Sequence, residues 1–163
     1  MKSLSLIISM LIALNINGQN IDITPIQGLD QFTCNKKAVS PPLHWKHSLK
    51  NVTSYIVIIE SKDIDGQKLH MLSYNIPGKQ FRIPGALKEN KSFGGRTKFG
   101  LNTVGKPHYF PICKRTPQET IKVNIKIFAL EKLLPEKDGL TMEQVMDLAK
   151  NSIIAEGVYK TEL

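Results

Sequence analysis

The run Tyr55-Ile56-Val57-Ile58-Ile59 leaves this chain few ways to fold. It is apolar at every position, so the strand it predicts, Val52–Glu60, has a covering layer on both faces rather than one face toward water. It ends in two acids, Asp63 and Asp65, followed by Gly66 as a turn. A second apolar run, Leu69–Ile76, begins with His70 and closes on Asn75-Ile76-Pro77. Strict alternation would place His70, Leu72, Tyr74 and Ile76 on one face. Two carboxylates at the end of one strand and an imidazole at the start of the next share one cleft wall. That set suits an acid, metal or polar-headgroup site, and spacing alone does not choose among them.

The flanking segments extend a β reading. Pro41-Pro42 fixes an extended entry to Leu43 and Trp45, which fall on one face, with Trp45 as a core anchor. His44 and His47 lie near it without an acidic or cysteine partner and read as surface histidines. Gly94–Gly100 is glycine-rich but lacks the Gly-Lys-Ser/Thr ending of a phosphate loop and reads as a structural turn. Residues 105–120 carry Pro107, Pro111 and Pro117 with His108, Tyr109 and Cys113, an irregular loop long enough to be functional. Ile121, Val123, Ile125 and Ile127 alternate with Lys122, Asn124 and Lys126 as a half-exposed strand. Thr141 with Gln144 forms a capping box that opens a helix, and Ile153–Thr161 reads as a last strand. With five or more strands, one clear helix and no βαβ alternation, the chain is mostly antiparallel β with a helix near its C-terminus.

At 163 residues the chain suits one domain with a substantial core. Lys2, the uncharged apolar stretch Leu4–Leu14 and Gly18 have the form of a secretory signal peptide over residues 1–18, leaving a domain over 19–163 that is exported, periplasmic or secreted. The apolar stretch is too short for a transmembrane helix, which needs about 20 residues. The net charge of +8, or +7 without Lys2, favours acidic partners, although a lysine-rich solvated surface gives the same number. Sparse aromatics and the absence of long basic tracts argue against nucleic acid. Cys34 and Cys113 allow two readings, a bridge closing a long loop or two separate buried thiols.

Taken together, these segments resemble the phosphatidylethanolamine-binding protein family in its bacterial Raf-kinase-inhibitor-like (YbhB/YbcL) branch, from about Thr33 to Tyr159. Ser40-Pro41-Pro42-Leu43-His44-Trp45 is similar to the family's Ser-Pro-x-Leu-x-Trp, and Asp63-Ile64-Asp65-Gly66 stands at its Asp-Pro-Asp-Ala-Pro. His70 to Pro77 is similar to its His-x-x-x-x-Asn-hydrophobic-Pro strand, and Phe99-Gly100, Tyr109, Pro111 and Phe128-Ala129-Leu130-Glu131 resemble its pocket rim and a later strand. The resemblance implies a β-sandwich, a large antiparallel sheet packed on a smaller one, and a small pocket for phosphate, phosphorylated headgroups or similar anions. It implies ligand-binding roles for Asp63, His70 and Pro111, with Asp65 as a support that helps orient His70 and Tyr109 and His108 on the loop. Where the family has His-Arg-Tyr, this chain has Ile121-Lys122-Val123, so donors are missing, and His108 and Arg96 are the loop residues available to replace them.

Three functions are therefore expected to compete. The first is an exported binding module with a partly altered anion pocket and no cofactor. The second is a protein-interaction module, a kinase or protease inhibitor-like protein acting through residues 105–120. The third is an enzyme using Asp63, Asp65 and His70, against which stand a thin metal-ligand set and no nucleophile evident near a base.

Overall fold

The computed structural model of the chain describes residues 20–87 and 93–163; the segment read as a signal peptide lies outside them. Among the described residues, eight strands form two sheets, accompanied by one α-helix and a short 3-10 turn at Leu29–Phe32. Strands β1 (Asp22–Pro25), β2 (Leu43–Lys46) and β5 (Arg82–Ile83) make a small sheet in the order β1-β2-β5. Strands β3 (Ser54–Asp63), β4 (Gly66–Pro77), β6 (Lys98–Phe99), β7 (Lys122–Leu130) and β8 (Ile153–Glu162) make a large one in the order β6-β4-β3-β7-β8. Every neighbouring strand pair is antiparallel. This is the sandwich of a large and a small sheet that the sequence implied.

The apolar run at the centre of β3 is explained by a layer on each side. Tyr55, Val57 and Ile59 face the small sheet and pack in one core with Ile23, Leu43, Trp45, Ile83, Val123, Ile125 and Ile127. Trp45 is fully buried, edge-on to Tyr55 with ring centres 5.2 Å apart. Ile56 and Ile58 face the other way, into a second core with Leu72, Tyr74, Phe128, Leu130 and helix α1 (Met142–Ala149). The capping box opens α1 as expected: the Thr141 hydroxyl accepts from the Gln144 backbone N–H, and the Gln144 side chain accepts from the Thr141 N–H. Val145 and Ala149 are its buried residues. Of the two histidines near Trp45, His44 is exposed, but His47 is half-buried, its Nε2 2.5 Å from the Tyr55 hydroxyl.

The alternation expected along Leu69–Ile76 does not hold, because β4 carries two extra residues relative to β3. Ile59 pairs with Met71 but Glu60 with Leu69, leaving His70 as the inserted residue. Tyr55 pairs with Ile76 but Val57 with Ser73, and in that second irregularity Asn75 takes a left-handed backbone, φ 57°. Each insertion flips the phase of the strand. Met71 and Ile76 therefore join the core between the sheets, while Leu72 and Tyr74 join the core under α1.

The two cysteines are bridged. Cys34 and Cys113 have Cα atoms 5.2 Å apart and a sequence separation of 79. Cys34 is half-buried and Cys113 exposed, so the alternative of two separate buried thiols is set aside.

Candidate functional site

The hairpin between β3 and β4 builds one wall of the site. Asp63 pairs with Gly66 across a two-residue turn, Ile64-Asp65, and Gly66 has φ 114°, a value L side chains rarely adopt. Asp63 organises this turn: its Oδ1 accepts the Asp65 backbone N–H at 2.8 Å and its Oδ2 accepts Lys68 Nζ at 2.5 Å. The Asp63 side chain is only 3% exposed. The Lys68 ammonium, hydrogen-bonded to it, holds its carboxyl below the ordinary aspartate range.

The second wall is the loop following β6, which runs on along the free edge of β4. Backbone bonds from Gly100 to Leu72, from Thr103 to Leu69 and from Phe110 to His70 fasten it there. Asn102 shapes the loop from within: its Oδ1 accepts the N–H of Val104 and of Lys106, and its Nδ2 donates to the His108 carbonyl. The far end of the loop is held by an isolated bridge between Thr33 and Ile112 and by the disulfide.

His70 stands between the walls, 2% exposed. Its Nδ1 lies 2.7 Å from the Phe110 carbonyl, and its Nε2 lies 2.7 Å from Ser61 Oγ. A carbonyl only accepts, so Nδ1 carries the proton, Nε2 carries the lone pair, and the Ser61 hydroxyl donates to it. Burial lowers the pKa of the imidazole and favours this neutral form. The Phe110 ring is nearly parallel to the imidazole, stacked at 8° with centres 5.8 Å apart. His70 is thus oriented by a hydroxyl and a loop carbonyl, not by the two acids, which corrects the expectation drawn from the sequence.

These residues enclose a cavity of about 220 Å³. Ser61, Asp63, Lys68, His70 and Thr103 supply its polar groups, and Phe110, Pro111, Ile112 and Ile121 its apolar walls. Of the residues singled out from the sequence, Asp63, His70 and Pro111 line it; Asp65, Tyr109 and His108 do not. Asp65 is exposed and binds Arg115 at 2.9 Å, and Arg115 also binds Glu119 at 3.1 Å. Tyr109 is buried behind the loop, where its hydroxyl donates to the Phe32 carbonyl and burial pushes its pKa up. The His108 ring lies over the next carbonyl, its Nδ1 2.9 Å from the Tyr109 oxygen. Arg96, the other loop residue considered as a replacement donor, pairs with Glu136 at 3.4 Å and is not in the cavity wall.

Sequence reasoning missed Ser61, Lys68 and Thr103. The signal for Lys68 was within reach: a two-residue turn at Ile64-Asp65 makes Ser61 and Lys68 direct cross-strand partners, so both project to one face. Ser61 also supplies the hydroxyl within reach of a base that the sequence did not reveal. Ile121 lines the cavity and contributes an aliphatic group rather than a hydrogen-bond donor. Among the described residues no three His, Cys, Asp or Glu side chains gather as a metal-binding group.

Known proteins resemble this chain in sequence and, for two solved structures, in fold. A UPF0098 protein of Chlamydia muridarum is 26% identical over 133 residues, which are 77% of this chain and 82% of the relative. One from Chlamydia pneumoniae is 28% identical over 130 residues, covering 76% of this chain and 81% of its own length. Among solved structures, a phosphatidylethanolamine-binding protein homologue of Chlamydia trachomatis superposes with a TM-score of 0.74 at 23% identity, covering 89% of this chain and 97% of that one. YbcL of E. coli gives a TM-score of 0.74 at 16% identity, covering 88% and 97%. These two likenesses establish the fold, and the family model described as phosphatidylethanolamine-binding protein matches residues 17–162. The chain belongs to the phosphatidylethanolamine-binding protein family.

Proposed function

We propose that the protein is an exported binding protein whose cavity takes a small phosphorylated headgroup. The observation that carries this reading is the Lys68 ammonium in the cavity wall, held 2.5 Å from Asp63 and 3.9 Å from Asp65. Juxtaposed opposite charges suit a ligand that is itself zwitterionic, with a phosphate directed at Lys68 and an ammonium at Asp63, the carboxylate in the cavity wall. The ligand in the family's name, phosphatidylethanolamine, has a headgroup of this kind. A bare phosphate would meet the same ammonium but also the repulsion of Asp63. Neutral His70 offers no free N–H, so recognition falls to Lys68 and to hydroxyl groups rather than to the imidazole. Export is supported by the signal-like sequence at residues 1–18 and by the Cys34–Cys113 bridge, which persists in oxidising compartments.

An NMR titration tests the ligand. Millimolar phosphoethanolamine is expected to shift the Lys68 side-chain and His70 ring resonances, and to do so more than inorganic phosphate at equal concentration. If neither ligand moves them, the anion-binding reading fails.

A second reading, docking of a protein partner on the 105–120 loop, has one specific observation in its favour. The loop is already fixed by backbone bonds and the disulfide, so docking would cost little ordering entropy. A partner captured equally by the wild type and by Lys68→Ala, but lost on shortening the loop, would favour it over the headgroup.

A further inference from the structure

We propose that Ser61 is an activated nucleophile and that the cavity can take an acyl group from a small carboxylic ester. Other buried serine hydroxyls contrast with it. Ser54 donates to the Lys132 carbonyl and Ser152 to the Ala149 carbonyl, contacts that stabilise the fold and do nothing to the oxygen's reactivity. Ser61 alone among the described serines points its hydroxyl at an imidazole nitrogen, at 2.7 Å. The geometry of a nucleophile and its base is completed by an orienting group on the far side of the ring, here the Phe110 carbonyl at 2.7 Å. His70 is an inserted residue of β4, and it is this insertion that turns its ring toward Ser61. Both residues line the cavity, which gives a bound molecule access to groups that bulk water barely reaches.

The surroundings define the substrate class. A cavity of about 220 Å³ walled by Phe110, Pro111, Ile112 and Ile121 suits a short apolar acyl group. Lys68, the register partner of Ser61, places an ammonium on the same wall as the carbonyl under attack, where negative charge develops.

The reaction balances with water as the second substrate. Ser61 Oγ bonds to the ester carbonyl carbon as its proton passes to His70 Nε2. The carbon–oxygen bond to the alcohol then breaks, and the imidazolium returns the proton to the departing oxygen, leaving an acyl-serine ester. Water next gives a proton to Nε2 as its oxygen adds to the acyl carbon. Ser61 Oγ departs and recovers that proton, so one ester and one water become one acid and one alcohol.

The test uses the whole folded protein with two probes, a small dialkyl fluorophosphate read by peptide mass spectrometry and 4-nitrophenyl acetate read by absorbance. The expected result is a phosphoryl adduct on Ser61 in the native protein and none after unfolding. Ser61→Ala and His70→Gln, each checked for native near-ultraviolet circular dichroism, should lower acetate hydrolysis at least tenfold. In the wild type the rate should rise with pH and reach its plateau below the ordinary imidazole range, as a base with a lowered pKa requires. The proposal is overturned if native Ser61 stays unmodified, or if Ser61→Ala hydrolyses the acetate as fast as the wild type. Should His70→Gln fail to fold, the adduct site, Ser61→Ala and the pH profile still decide.

Discussion

His70 and Asn75 both sit on β4 where the ladder gains a residue, both are buried, and both have each side-chain polar atom in a hydrogen bond, yet they end in different roles. Asn75 meets a backbone: its Nδ2 donates to the Leu134 carbonyl at 2.9 Å and its Oδ1 accepts the Leu134 N–H at 2.8 Å. One amide side chain thereby ties the segment leading to α1 onto the large sheet. His70 meets a side-chain hydroxyl and a loop carbonyl, and the space beside it stays open. The same backbone device yields an anchor where the partner is continuous main chain and a site where the partner is a hydroxyl beside a cavity. A buried polar residue at a bulge is thus not by itself evidence of function; what lies on the far side of its hydrogen bonds decides.

The largest expected effect falls on the anchor. Asn75→Ala strands both Leu134 backbone groups and puts a Cβ without a local partner at φ 57°, a combined cost of about 3–5 kcal/mol. Urea unfolding measures it, and a loss under about 1 kcal/mol would break the contrast with His70. Replacing Cys34 and Cys113 together with serine should cost about 2–4 kcal/mol. That change should also move the His70 ring resonances, because the bridged loop carries Phe110, while leaving the Asn75 amide signals in place.

Acid sharpens the comparison further, since Asn75 does not titrate. His70 has a folded-state pKa below its unfolded value, so the unfolded chain binds its proton first as pH falls. The stability contributed by the neutral imidazole is complete above about pH 6.5 and declines as the pH drops through the folded pKa. Unfolding midpoints measured downward from pH 7 should therefore fall in the wild type and fall less in His70→Gln. The smallest effect belongs to the rim: Arg115→Ala breaks the pairs that exposed Arg115 makes with Asp65 and Glu119 and should leave the urea midpoint unchanged within error.

Much of this layout is legible in the sequence where signals are local. The two-faced apolar run announced layers on both sides of β3, the alternation from Ile121 gave β7, and Thr141 with Gln144 marked the start of α1. The insertions in β4 left no such mark, because an extra residue is defined only against a partner strand. Its effect is non-local: Leu72 and Tyr74 land in a different core from Ile76. The site suffered in the same way. Asp63 and His70 were visible as residue types in a family pattern, whereas nothing local marks Ser61, whose partner His70 is brought to it only by the folding of β4 against β3. Asp65, Tyr109 and His108 looked equally eligible because sequence proximity to a site does not say which way a side chain points.

The placement of α1 has a consequence of its own. An eight-residue helix has no stability in isolation, so it stays folded only while Val145 and Ala149 rest on the large sheet. Were that segment to lift away, Ile56, Ile58, Leu72 and Tyr74 would lie bare on a broad, β-rich surface. Such a surface is what other chains adhere to. The short helix therefore covers apolar sheet surface that would favour self-association if bare, and Asn75 fastens the segment that leads to it.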